Sequence, residues 1–267
     1  MPHIVAREVL RLTLVAVAVA VFSSCAIRNE EDDIPEGVFI DSAEFDDTFV
    51  GFLPDAGELK GKTWLVIGDS ISTRGLIESN YEQYVSEWLD CEVINVAAGG
   101  TGYIQPTAYS QSWLDSVDSY PDAKNVNFIT VMGALNDASH ALGDDADIDV
   151  DASTFYGALD SFYRKLKDKY PGVPIGVITS TPRSYCHGED GTYIGFINAV
   201  SKIAGRFSLP LLDLYRMEEF KPWTNAINKK YFVAYHHYPD GDGIHPNTWG
   251  HFEMAKLIYP FIVQNCR

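Results

Sequence analysis

The residues of this chain whose types and spacing could do chemistry lie in four short stretches. They are Gly68-Asp69-Ser70-Ile71-Ser72, Asn95 through Gly100, Gly133-Ala134-Leu135-Asn136-Asp137, and Asp242-Gly243-Ile244-His245-Pro246. A serine hydroxyl is a poor nucleophile until a base removes its proton. His245 can be that base for Ser70 if an acid fixes its tautomer and stabilises the imidazolium, and Asp242 stands three residues before it. Three extended residues span about 10 Å, too far for direct contact. Gly241, Gly243 and Pro246 allow the chain to fold back so that the carboxylate reaches the ring. Asp240 is the rival acid, placed second because it lies further from His245. Gly100 permits close backbone approach to a substrate, and the Asn136 amide can donate to a developing negative charge without being charged itself. Together these residues suit acyl transfer. Singly each has a plain structural reading: Gly-Asp-Ser as a turn, Gly99-Gly100-Thr101-Gly102 as a flexible loop, Asn136-Asp137 as a turn, His245 in a capping loop. Ser70 is also outside the GxSxG elbow, because Ser72 takes the final glycine position.

The elements that must position these residues are short apolar runs alternating with amphipathic ones. Strands are expected at Thr63–Ile67, Cys91–Val96, Val126–Met132, Pro174–Thr179 and Leu209–Leu214. Helices are expected over Thr154–Tyr170, stopped by Pro171-Gly172, over Tyr193–Arg206, and from Asn247 or Thr248 onward. Near-continuous apolar strands separated by helices predict an α/β fold, a three-layer α/β/α sandwich on a five-stranded parallel sheet. Ser70 falls two residues past the first strand, at the expected entrance to a first helix whose N-terminal amides would face an oxyanion. Gly100 follows the second strand and Asn136 the third, so parallel neighbours would carry both to the edge that holds Ser70. The long segments 102–124 and 182–193 also leave strand C-terminal ends, where open α/β sheets place their sites. Arg183, Tyr185, Trp223 and Tyr103 fall in loops expected to border Ser70, where aromatics would suit stacking on a sugar or an acyl chain.

Taken in order, Gly68-Asp69-Ser70, Asn95 to Gly100, Gly133-x-x-Asn136-Asp137 and Asp242-x-x-His245 resemble the four blocks of the SGNH hydrolase superfamily, the GDSL esterases and lipases. The resemblance runs from Lys62 to Arg267. It implies a flavodoxin-like sheet, Ser70 as nucleophile, His245 as general base and acid, and Asp242 as its orienting carboxylate. It further implies the Ser70 and Gly100 amides and the Asn136 side chain as oxyanion donors, with no metal or organic cofactor. Ile71-Ser72 stands where the commonest first block has a leucine.

Composition narrows the partners. A net charge of −17 over 267 residues repels nucleic acid. Arg7 and Arg11, the apolar run Leu12–Phe22 and Ser23-Ser24 read as an export signal, the run being too short to span a bilayer. With Cys25 it resembles a bacterial lipoprotein signal, so Cys25 is the expected lipidation site and the expected location is the bacterial cell envelope. An ordinary secretory signal is the alternative. The division expected is a signal over 1–25, an acidic tether and extension over 26–60, and the hydrolase domain over 61–267. Phe39, Phe45, Phe49, Phe52 and Trp64 suggest that the second half of the extension packs on the domain. Cys91, Cys186 and Cys266 show no metal spacing, leaving at most one bridge. The acidic run Asp144, Asp145, Asp147, Asp149, Asp151 lacks the glycine and glutamate of an EF-hand and reads as solvated loop. His236-His237 has no further ligand set.

The expected function is therefore an exported serine esterase acting on short acyl esters of small molecules or polysaccharides. Lysophospholipase, thioesterase or acyltransferase activity would use the same residues. A carbohydrate-binding lipoprotein without catalysis would not need all five intact.

Overall fold

The computed structural model describes residues 53–73, 79–185, 193–217, 220–234 and 237–267. Cys25, the extension up to residue 52, Cys186, Tyr235 and His236 lie outside the described residues. Among the described residues, β1 (Thr63–Gly68), β2 (Glu92–Asn95), β3 (Phe128–Met132), β4 (Ile175–Ile178) and β5 (Leu211–Leu212) form one parallel sheet in the order β2-β1-β3-β4-β5. The helices are α1 (Tyr81–Leu89), α2 (Trp113–Ser116), α3 (Phe155–Lys169), α4 (Ile194–Arg206), α5 (Asn225–Tyr231) and α6 (Thr248–Asn265).

Alternation along the strands explains the two cores. Leu65, Ile67, Ile129 and Val131 pack with Leu159 and Phe162 of α3 and Ile197 and Val200 of α4. Trp64, Val66, Phe128 and Met132 face the other way, onto Val85 and Leu89 of α1 and Phe252 and Ile258 of α6. This is the expected three-layer sandwich. Trp64 stacks on Phe128 at 5.9 Å, and its indole donates to Thr130 Oγ1 at 2.9 Å, so the buried N–H has a partner.

Helix starts follow their caps. Asn80 and Gln83 form a capping box on α1, Thr154 accepts from Gly157 N, and Asn247 accepts from Gly250 N at 3.0 Å. The acidic run is spent on caps and ion pairs. Asp144 caps a single 3-10 turn, Asp145 pairs with Lys202, and Asp149 meets both Arg164 and Arg206. The same two arginines hold the fully buried Asp160 at 2.7 and 2.9 Å, tying α3 to α4. Among the described residues no group of three or more His, Cys, Asp or Glu is set to hold a metal ion. Cys91 and Cys266 are free thiols, both pushed up to about 12 by burial.

Two expectations need correction. β5 is two residues, not the run from Leu209 to Leu214: Pro210 has no N–H to give, and Asp213 accepts from Thr179 Oγ1 as the chain turns away. Residues 70–72 form a turn rather than a helix start, and the first α-helix among the described residues begins at Tyr81, where Asn80 supplies the cap. Residues counted with the extension also join the fold, since Ala56 and Leu59 are buried in the α1–α6 core. Tyr259 of α6 donates to Pro54 O at 2.5 Å, and Arg267 donates to Asp55 O at 3.2 Å.

Candidate active site

From β1 the chain passes to β2 on one side, then crosses back to β3 on the other, so the strand order reverses between β1 and β3. A crevice opens outside the strand ends at such a point. Ser70 leaves β1 and Asn136 leaves β3 at this switch point.

Ser70 sits in a turn closed by Asp69, whose carbonyl accepts from Ser72 N at 3.0 Å and whose Oδ1 accepts from Ile71 N at 3.0 Å. Gly68 is required beneath it, because a Cβ there would lie 2.3 Å from Ser72 Oγ. Asn95, at the end of β2, braces the turn by donating to Ser72 O at 2.7 Å.

The second half of the site is the loop before α6. Gly241 and Gly243 have φ of 104° and 66°, values that disfavour a side chain. Between them Asp242 curls back: its Oδ1 accepts from Ile244 N at 2.8 Å and His245 N at 2.9 Å, while Oδ2 meets His245 Nδ1 at 2.7 Å. His245 Nε2 lies 3.0 Å from Ser70 Oγ. With the carboxylate holding the Nδ1 proton, Nε2 presents its lone pair to the hydroxyl. Ser70 and His245 are 5% and 4% exposed, which strengthens electrostatic interactions between them. Asp240, the rival acid, is exposed and pairs with Lys229 at 3.4 Å.

Asn136 lies in the 3-10 turn Leu135–Ser139. Its Nδ2 donates to Thr101 O at 3.0 Å and stands 3.5 Å from Asp69 Oδ2, so the amide spans the Gly100 and Ser70 loops. Gly100 is buried with φ 76°. Neither the Ser70 nor the Gly100 N–H meets an acceptor among the described residues, which leaves both as spare donors. They come from a turn and a left-handed glycine rather than from a helix N-terminus.

Three further residues, beyond the expected catalytic set, shape this site. Asp137, fully buried, accepts from the amides of Tyr103, Ile104 and Gln105 at 2.9–3.0 Å. Burial lifts its carboxyl to about 6, against the pull of those three amides. A Cβ on Gly102 would sit 2.3 Å from this carboxylate, which is why a glycine stands there. Tyr103, expected at the cleft, is instead drawn into the core, its hydroxyl 2.7 Å from that of Tyr163. His251 Nδ1 accepts from Tyr81 N at 3.2 Å under a stacked Tyr81 ring, and burial, reinforced by His245, lowers it to about 3. Arg183, buried, donates from Nη2 to Asn136 Oδ1 at 2.7 Å and from Nη1 to the hydroxyl of the half-exposed Tyr185 at 3.1 Å. Burial raises Asp69, and the charge of Arg183 opposes that rise most strongly. The Asn-Asp pair and the glycine at 102 were the signals available for the first; the others depend on distant partners.

Fold and site define an α/β protein that lines up an aspartate, a histidine and a serine beyond the strand ends. The family model for the GDSL-like lipase/acylhydrolase family matches residues 66–251, and the chain belongs to that family. Comparison with curated proteins gave no match. Among solved structures, a possible lipase from Chitinophaga pinensis superposes with a TM-score of 0.60 at 20% identity, over 76% of this chain and 98% of its own. The acetyl xylan esterase AlAXEase gives 0.55 at 19%, over 74% and 98%. An acetyl xylan esterase from Geobacillus stearothermophilus gives 0.51 at 18%, over 76% and 95%.

Proposed function

We propose that this member of the family is an exported serine esterase that removes short acyl groups, acetyl in type, from carbohydrate esters. The observation carrying the catalytic reading is the unbroken line Asp242–His245–Ser70, with contacts of 2.7 and 3.0 Å. Ser70 Oγ gives its proton to His245 Nε2 and attacks the ester carbonyl carbon, whose π electrons move to oxygen. That oxyanion is held by the Ser70 and Gly100 amides and Asn136 Nδ2. Collapse breaks the bond to the alcohol, which leaves with the proton from His245. Water, giving its proton to the same nitrogen, then attacks the acyl-enzyme; collapse frees the acid and returns the proton to Ser70.

The carbohydrate and short-acyl part of the reading draws on the acetyl xylan esterases among the structural neighbours and on Tyr185, an exposed aromatic joined through Arg183 to Asn136. A lipid anchor at Cys25 is proposed from the sequence of the signal, and fatty-acid labelling lost in Cys25→Ala would test it. Hydrolysis of p-nitrophenyl esters of increasing chain length, by wild type and Ser70→Ala, tests the catalytic reading. Turnover that falls with chain length and disappears in Ser70→Ala is expected, followed by acetate release from acetylated xylan. A wild type with no Ser70-dependent turnover at any chain length would falsify it.

A further inference from the structure

We infer that Arg183 is a positioning residue for the reaction: it orients and polarises the Asn136 amide, whose Nδ2 serves the oxyanion. This rests on the esterase reading above. Arginine has donors only, so the Asn136 atom 2.7 Å from Nη2 must be the carbonyl oxygen. That contact removes the ambiguity of the amide and forces Nδ2 toward Thr101 O and Asp69. An Nδ2 group has two hydrogens. Thr101 O accepts at 3.0 Å, and Asp69 Oδ2, on the residue beside the nucleophile, stands 3.5 Å from the same nitrogen. Both contacts place Nδ2 between the Gly100 loop and the Ser70 turn.

Charge adds to geometry. A guanidinium stays protonated throughout the working pH range and forms stronger, shorter hydrogen bonds than a neutral donor. Drawing electron density onto Oδ1 makes the N–H at the other end of the same amide a better donor. Arg183 is 5% exposed, so little water screens it, and its field already reaches Asp69, the neighbour of the nucleophile. The Tyr185 hydroxyl at 3.1 Å holds the second arm of the fork, which keeps the guanidinium plane aligned on Asn136.

If Arg183 works through Asn136, its removal must cost nothing once Asn136 is gone. The experiment is a double-mutant cycle on p-nitrophenyl acetate with wild type, Arg183→Ala, Asn136→Ala and the double variant, beside Ser70→Ala. Arg183→Ala should lower kcat on the order of 10–100-fold with KM nearly unchanged, and should have little further effect in the Asn136→Ala background. Guanidinium chloride at sub-denaturing concentration should restore part of the Arg183→Ala rate and none of the double variant's. An equal fall in both backgrounds, or no fall in the single variant, overturns the inference. If Arg183→Ala does not fold, the cycle is run with Arg183→Lys and Arg183→Gln: lysine should retain more activity than glutamine, and equal rates overturn it. A wild type no faster than Ser70→Ala removes the esterase reading and this inference with it, whereas Ser70-dependent turnover with additive losses removes the inference alone.

Discussion

Asp242→Asn isolates one proton. Asparagine is isosteric with aspartate, so its Oδ1 can still accept from Ile244 N and His245 N, at 2.8 and 2.9 Å in the parent. The loop should therefore keep its shape. What changes is the atom facing His245 Nδ1: a carboxylate oxygen at 2.7 Å becomes an NH2 group that can only donate. His245 Nδ1 must then accept, the ring proton moves to Nε2, and Ser70 Oγ, at 3.0 Å, meets a donor where it needs a base. The same exchange in an established Ser-His-Asp site lowers kcat about 10⁴-fold, or about 5.5 kcal/mol of barrier, and a comparable loss is expected here. Melting temperature should move by only a few degrees, the backbone contacts being conserved. The assay is kcat on p-nitrophenyl acetate at neutral pH, paired with thermal unfolding and with Asp240→Asn as control. Asp240 is turned to solvent against Lys229, so its variant should match wild type. A folded Asp242→Asn protein within tenfold of wild type, or an equal loss in Asp240→Asn, would refute the tautomer argument.

Asn136→Ala should lose about 10²–10³-fold in kcat with little change in KM, since the amide serves an oxygen that bears charge only in the transition state; stopped kinetics with a normal kcat would rule this out. His251 is lowered to about 3, so between there and 6.5 the unfolded chain takes up a proton that the folded one refuses. Its contribution is complete above 6.5 and is lost as pH falls, about 2 kcal/mol by pH 5. Urea unfolding at pH 7 and pH 5 should show that loss in wild type and not in His251→Asn, whose Oδ1 can replace Nδ1 as acceptor for Tyr81 N. Gly102→Ala would push the Asp137 carboxylate off its three amides and should cost about 3 kcal/mol in denaturant titration, with activity falling as the Gly100 loop shifts.

The layered sheet was legible because its cause is local: apolar runs such as Trp64–Ile67 and Phe128–Met132 can only be central strands, and the stripe of α3 has one face to bury. Ser70, His245, Asp242 and Asn136 were legible as motif blocks, and the fold brings them within hydrogen-bonding reach of one another or of one another's loops. Where the reading failed, the decisive partner was remote or the cap stronger than expected. Tyr103 looks like a loop aromatic until Asp137 gathers the amides of Tyr103 and the two residues after it and sinks the loop. The expected place of Arg183 near Ser70 holds, while its partner there, Asn136, follows only from β3 and β4 lying side by side. The first helix was placed too early because Gly-Asp-Ser resembles a cap, yet Asn80 with Gln83 makes the better one.

The contacts of Pro54 and Asp55 with the last turns of α6 fix where the first described residues join the domain. β1 rises from Thr63 to Gly68, about 17 Å, before Ser70 is reached. α6 descends about 27 Å from beside His245 to Arg267's neighbourhood. Leu53 is thus joined near the end of the sheet opposite Ser70, and a protein immobilised on a bead through that end would keep the Ser70 end turned away from the support.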